Sequence, residues 1–485
     1  MKIIMNHTVK FTLTIIFAII STLSFAGGND GHEIKVTINT LKENETCQLA
    51  YYYGNKQYIK DSAKVNSKGQ VVFKGEEKLP QGVYLFVLPN KSYFDFIVDE
   101  PQHMSIVSDT TNFVKNMQVK GSKENELFFE YQRFIMRKQN EQKPISETYK
   151  LVKDNEDSVK ILREQMTRIK EEVESYQQKI MDDNENSFIA LFIKATIEPT
   201  IPPVPESLDS TEAASFPYRY FKAHFFDNIN VSDDRMLRTP FFNNKIERYL
   251  EKMTVPDPDS ISASCDVLIN LAKPNDEVFK YMVWYLTLKY ETSKFMGMDA
   301  VFVHLVDNYY KTGLTTWVDS TTMAKITKKS DGLKPTLIGK NAPSLNLKDT
   351  SGRYISLYDV KAEYTILVFW DHDCGHCKKA IPKLGKLYND TLKGMGVEVY
   401  AMETEDKFDE WRNFISENEL SWINVHETDE YYRAVAKQRY HINSTPMVFI
   451  LDKNKKIVAK KVDVEQTPHV IGILKKKAAE EAKKK

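Results

Sequence analysis

The 485-residue chain reads as three folded parts: an N-terminal all-β sandwich, an all-α middle and a C-terminal α/β domain. Three observations carry that reading. Short alternating runs separated by tight turns fill residues 30–121. A helical period governs residues 122–335. Strand-like and helix-like patterns then alternate over residues 338–475, where one apolar run leads directly into Cys374-Gly375-His376-Cys377. A length prior of about 150 residues per domain also gives three. Hydrophobic content of 42% with 28% charged residues is ordinary for a globular chain. With 67 basic and 67 acidic residues the net charge is zero, so nothing pulls the chain toward nucleic acid or anionic membranes.

The termini come first. Lys2 and Lys10 precede an apolar run from Phe11 to Ile20 that continues to Ala26, and Ser24-Phe25-Ala26 offers a small-x-small cleavage site. The run is about 16 residues, short of the roughly 20 that a spanning helix needs. Residues 1–26 are expected to be a signal peptide delivering the chain to the periplasm or cell envelope, with an uncleaved membrane anchor as the alternative. At the other end, residues 476–485 form a charged tail, read as a solvated helix end.

In the first part, Ile34, Val36 and Ile38 alternate with polar residues. Leu49 to Tyr53, Val71 to Phe73, Val83 to Leu88, Phe94 to Val98 and Met104 to Val107 are further strand-like runs. Gly54-Asn55, Ser67-Lys68-Gly69, Pro89-Asn90 and Glu100-Pro101 separate them as turns. Many short strands with tight turns indicate a sandwich or barrel. Tyr51, Tyr52 and Tyr53 are expected to pack within the sheet, in preference to forming a ligand face.

In the second part, Val159, Leu162, Met166, Ile169, Val173, Tyr176 and Ile180 step by three and four. This heptad seam predicts a helix whose stripe packs inside the chain, with a homodimer through the helical domain as the alternative. Pro199, Pro202, Pro203 and Pro205 exclude helix and mark a stiff connection. Helices are expected near Phe242–Met253, Ile261–Ala272, Asp276–Tyr290 and Met298–Tyr310. His224 and His304 are isolated and expected to be structural. No metal-ligand spacing, phosphate loop or nucleophile elbow occurs here.

In the third part, Ser344–Leu347 and Tyr354–Leu357 flank the turn Asp349-Thr350-Ser351-Gly352 as a hairpin. Strand Tyr364–Trp370, helix Ala380–Leu392, strand Val397–Met402 and helix Phe408–Glu417 follow. Strands Met447–Leu451 and Lys456–Val462 and a helix from Thr467-Pro468 complete the expected order.

The chemistry sits at the cysteine pair. A strand that ends in Cys-x-x-Cys at a helix start is a redox dithiol signal, and the spacing lets the sulfurs close a disulfide. Unpaired amides at a helix N-terminus favour a thiolate. Cys374 is therefore the expected exposed nucleophile, with His376 tuning its pKa when protonated. Cys377, one turn in, is the expected resolving thiol. Cys47 and Cys265 are expected to be buried hydrophobes. A zinc site would need a second ligand pair, which the spacing does not offer, and covalent haem needs histidine where Lys378 stands. No metal or cofactor is expected. Ser444-Thr445-Pro446-Met447 leads into the next strand, where a cis bond would allow a tight approach to another element.

Gly339, Ala342-Pro343, Asp349, Gly352, Phe369-Trp370, the cysteine pair, Pro382 and Thr445-Pro446 together resemble the TlpA/ResA type of thioredoxin-fold oxidoreductases. The resemblance covers residues 338 to about 475. It implies a thioredoxin-like fold, a cis Thr445-Pro446 bond against the dithiol, and substrate contact through Thr445, Pro446 and Trp370. It also implies exchange with protein thiols and disulfides through a mixed disulfide on Cys374 that Cys377 resolves into a Cys374–Cys377 disulfide, and a membrane electron-transfer partner. Residues 30–120 and the middle part resemble the β and helical domains that precede such domains in large secreted bacterial proteins. Two departures stand out. Thioredoxin carries an aspartate where this chain has Val368, and many ResA-like proteins carry a glutamate where it has Ala380. Asp371, Asp373 and Glu403 are the candidate substitutes for proton handling. Asp371 and Asp373 should also oppose a Cys374 thiolate. The rival readings are a thiol peroxidase, whose proline- and threonine-containing loop is missing, and a cell-envelope ligand-binding protein with a non-catalytic dithiol.

Overall fold

The computed structural model describes residues 31–483. The expected signal peptide, residues 1–26, lies outside them. Among the described residues no helix is long and apolar enough to cross a membrane.

The first strands are β1 (His32–Ile38), β2 (Thr46–Tyr53), β3 (Lys56–Lys64), β4 (Gln70–Gly75), β5 (Gly82–Val87), β6 (Tyr93–Val98), β7 (His103–Ser108) and β8 (Gln118–Lys120). They form two four-stranded sheets, ordered β4-β1-β7-β8 and β3-β2-β5-β6. Alternation sets the faces: Ile34, Val36 and Ile38 of β1 are buried and the residues between them are not. Phe73 of β4 meets Phe86 of β5 edge-on at 6.2 Å, which joins the two sheets in one apolar core. β3 and β8 were not expected. Both lie at sheet edges, and β3 is mostly exposed, so neither needs an apolar stripe. Tyr51 packs at 5.8 Å on both Tyr58 and Tyr84, as strand packing requires.

The helical part comprises α1 (Lys123–Leu151), α2 (Glu156–Asp183), α3 (Phe188–Thr196), α4 (Ser210–Ala223), α5 (Phe242–Lys252), α6 (Pro258–Ala272), α7 (Asp276–Glu291), α8 (Asp299–Leu305) and α9 (Ser320–Leu333). Side chains of Asn155, Ser187, Asp209, Asp257, Asn275 and Asp319 accept first-turn amides and fix where six of these helices begin. The seam on α2 is its covered face: Ile169 and Ile180 are buried and the other five positions half-buried. The proline-rich stretch between α3 and α4 is irregular, as its composition demands. α4 and α9 were not expected as helices. No residue of α4 is fully buried, and only Ser330 and Leu333 of α9 are, so neither shows a wide apolar stripe. His304 lies 2.9 Å from the Asp266 carboxylate and His224 2.6 Å from that of Asp227.

The C-terminal part holds β9 (Asn346–Asp349), β10 (Tyr354–Ser356), β11 (Tyr364–Trp370), α10 (Cys377–Leu387), β12 (Val397–Glu403), α11 (Phe408–Glu417), β13 (Ile423–His426), α12 (Glu430–Arg439), β14 (Met447–Asp452), β15 (Ile457–Lys460) and α13 (Thr467–Lys483). Its sheet runs β10-β9-β13-β12-β11-β14-β15. β11 is central, parallel to β12 and antiparallel to β14, and all seven of its residues are buried. Its two faces feed two cores. Ile366, Val368 and Trp370 share one with Cys377, Ile381 and Leu384 of α10. Leu367 and Phe369 share the other with Tyr400 and Tyr440. The buried positions of α10 recur at helical spacing, which lays it along the first face. α13 continues into the charged residues 476–483, so that stretch is helix.

Candidate active site

β11 ends at Trp370, and a turn over residues 371–376 carries the chain into α10. The amide of Cys374 donates to the Asp371 carbonyl at 3.2 Å, and the amide of Lys378 donates to the Cys374 carbonyl at 2.9 Å. The turn is thereby fixed at both ends. Cys374 is left half-buried before the helix, while Cys377 is fully buried in its first turn.

The two thiols are in opposite electrostatic situations. Partial burial pushes Cys374 up. The amides of Cys377 and His376 and the contact with Thr445 outweigh it, and the net effect lowers its pKa. Burial pushes Cys377 up to about 12. Cys374 is therefore the more acidic thiol of the pair and Cys377 the less acidic. The His376 imidazole is exposed, and the contribution of that residue to Cys374 comes through its amide. Asp373 bears on the thiol less than its position suggested. Its carboxylate is engaged by Lys407 and lies 3.5 Å from the Lys378 ammonium.

The Thr445–Pro446 bond is cis. The Cys374 thiol donates to the Thr445 carbonyl at 3.5 Å, which brings the loop before β14 onto the nucleophile. Trp370 departs from expectation. Its side chain is 0% exposed, and its ring packs at 5.2 Å on Phe414 of α11. Buried under the sheet, it supports the core and does not face substrate.

Beneath the turn is a group that the cysteine motif does not announce. Glu403, the last residue of β12, pairs across the sheet with Trp370 and is 1% exposed. Burial pushes its carboxyl up to about 8; the Glu405 and His372 amides oppose this and the Asp371 charge adds to it. His372 is also buried. Asp371, His372 and Glu403 have ligand atoms within 4.8 Å of one another. The sequence had offered Glu403, with Asp371 and Asp373, as a candidate substitute for proton handling. Val368 and Ala380 lie in and against the core that holds Cys377. Cys47 and Cys265 are fully buried, and burial raises both thiols.

Comparison with known proteins agrees with this geometry. Residues 338–460 match the AhpC/TSA family. Residues 153–334 and 32–128 match two domains of unknown function, DUF5106 and DUF4369. The thiol-disulfide oxidoreductase ResA of Bacillus cereus (strain ZK / E33L) is 29% identical over 139 residues, 29% of this chain and 78% of the relative. The thioredoxin-like protein YneN of Bacillus subtilis (strain 168) is 30% identical over 129 residues, 26% of this chain and 70% of the relative. A solved structure described as a domain of possible thiol-disulfide isomerase from Cytophaga hutchinsonii is 40% identical, covers 30% of this chain and 97% of its own, and has a TM-score of 0.28.

Proposed function

The chain belongs to the thioredoxin-like thiol-disulfide oxidoreductases, and on that premise we propose that Cys374 and Cys377 exchange two electrons with protein disulfides outside the cytoplasm. The observation that carries the reading is the split between the thiols: Cys374 accessible and lowered, Cys377 buried and raised to about 12. A nucleophile must ionise near neutral pH, and a resolving thiol must stay silent until a mixed disulfide brings it a target.

The steps balance as follows. The Cys374 thiolate attacks one sulfur of a substrate disulfide. A Cys374–substrate disulfide forms, and the other substrate sulfur leaves as a thiolate that takes a proton from water. Cys377 then gives up its proton and attacks the Cys374 sulfur. The Cys374–Cys377 disulfide forms, and the second substrate thiolate leaves and is protonated. Two electrons have passed from the dithiol to the substrate, and the reverse sequence oxidises a substrate dithiol. An external dithiol resets the protein for another reductive cycle. The charged-then-apolar sequence at residues 2–26 supports a place outside the cytoplasm, which makes a membrane-held dithiol the natural partner.

The test uses the reduced full chain with insulin. Cys374→Ala should abolish disulfide reduction, and Cys377→Ala should accumulate a covalent complex that thiol reductant releases. Full activity in Cys374→Ala would overturn the proposal.

A further inference from the structure

β11 and β12 end in register, with Trp370 opposite Glu403, and the Thr404 amide donates to the Trp370 carbonyl at 2.9 Å. The first residues of the turn therefore leave β11 beside the carboxyl that closes β12. Asp371, His372 and Glu403 converge there, with one ligand atom of each within 4.8 Å of the others. Sheet pairing, not local spacing, brings Glu403 to the other two. The set lacks a partner. The side chains of His372 and Glu403 are only 5% and 1% exposed. Among the described residues, His372 Nδ1 and Glu403 Oε2 make no hydrogen bond. The nearby ammonium groups are engaged elsewhere, since Lys378 and Lys407 pair with Asp373. Buried polar atoms left this way cost free energy until a ligand meets them.

The arrangement suits a cation. The other ring nitrogen, His372 Nε2, lies 3.3 Å from the Glu410 carboxylate of α11. A carboxylate only accepts, so in the neutral ring Nε2 carries the hydrogen and the Nδ1 lone pair faces Glu403. An imidazole backed by a carboxylate in this way is the usual setting of a metal-ligating histidine. Two ligands of a tetrahedral zinc ion, each about 2.1 Å from it, stand about 3.4 Å apart. His372 Nδ1 and Glu403 Oε1 are separated by 3.4 Å. The Glu403 carboxyl is held in place by the Glu405 amide, which donates to Oε1 at 3.1 Å. Asp371 is half-buried on the turn, with Oδ1 accepting from the Asp373 amide at 2.7 Å, and side-chain rotation closes its remaining distance. A water completes four ligands. One imidazole and two carboxylates form a donor set that zinc, cobalt and manganese accept.

We propose that Asp371, His372 and Glu403 bind a divalent transition-metal ion, zinc by preference, with Glu410 orienting the imidazole. The ion pins the turn that carries Cys374 to the end of β12. The site uses neither cysteine, so it stands apart from the exchange reading, and its failure leaves that reading intact.

The test titrates zinc chloride into the full chain carrying Cys374→Ser and Cys377→Ser, so that neither active-site thiol competes for the metal. Ligation needs the Glu403 carboxyl ionised, so calorimetry is run at pH 8. A single saturable site per chain is expected. Adding His372→Gln or Glu403→Gln should weaken binding by roughly a hundredfold or more, and Glu410→Gln by roughly tenfold. Cobalt in place of zinc should give visible d–d bands that disappear in Glu403→Gln. Circular dichroism of the metal-free variants checks that each is folded. No saturable zinc binding and no cobalt bands in the thiol-free parent would overturn the proposal, whatever the variants do. Binding unchanged in folded His372→Gln or Glu403→Gln would overturn it as well, because the ion would then sit elsewhere.

Discussion

His372 and Glu403 lie side by side in the buried end of the sheet, with the imidazole Nδ1 3.4 Å from the carboxyl Oε1. Neither Nδ1 nor the second carboxyl oxygen has a hydrogen-bond partner. Such a pair is costly unless one member gives up its charge. Burial resolves this by raising Glu403 to about 8.

That shift has a direction. Between the ordinary carboxylate range and about pH 8, folded Glu403 keeps a proton that the unfolded chain has lost. Its contribution is greatest below that range and is lost as pH rises through 8. Each unit of displacement is worth about 1.4 kcal/mol. Glu403→Gln removes the titration, so the variant should gain stability relative to wild type from pH 5 to pH 9. Thermal unfolding at pH 5, 7 and 9 measures it. A gap that stays constant or reverses would sink the assignment.

The four thiols should separate by reactivity. Cys374 is lowered, whereas burial raises Cys377 to about 12, Cys47 to about 11, and Cys265 strongly. Iodoacetamide at pH 7.5 should modify Cys374 alone in the reduced native protein. Mass spectrometry of the digest reads the site. Labelling of Cys377 at a comparable rate would contradict the burial argument.

Lys460 and Asp299 form an ion pair with side chains only 3% and 12% exposed. Burial lowers the Lys460 ammonium, and Asp299 offsets part of that. Lys460→Met strands the partner carboxylate and should cost about 3–5 kcal/mol in denaturant unfolding. Lys460→Met with Asp299→Leu should recover most of the loss, because two apolar groups replace two buried charges. A double variant as unstable as the single one would show that the cost lies in packing.

The sequence made the three-part order legible, and with it the central strand and the dithiol. Ile366–Trp370 is uninterrupted apolar sequence, and Cys-x-x-Cys after such a run has few other readings. β13 and α12 were missed for a physical reason. β13 buries Asn424 and His426, so its pattern looks polar. α12 buries Arg433 and Ala436 while exposing Tyr431 and Tyr432, so it shows no apolar stripe. Trp370 was misread because a motif gives a residue's place and not the face it points to; register along β11 sends it into the core. Glu403 was named from the sequence, but its contact with His372 depends on pairing between segments far apart in the chain, which local patterns do not encode.

The last prediction separates the two ways His376 can act on Cys374. Sequence reasoning assigned the effect to a protonated imidazole. In the structure that imidazole is exposed, where water screens its charge, while the His376 amide faces the sulfur from the start of α10. His376→Ala keeps the amide and removes the ring. His376→Pro removes the amide, and proline is well tolerated at a helix start. The amide account expects a small change in the Cys374 titration for the alanine variant and a clear rise for the proline variant. The pH dependence of thiolate absorbance near 240 nm, read in a Cys377→Ser background, reports Cys374 alone. A rise in the alanine variant as large as in the proline variant would return the effect to the ring.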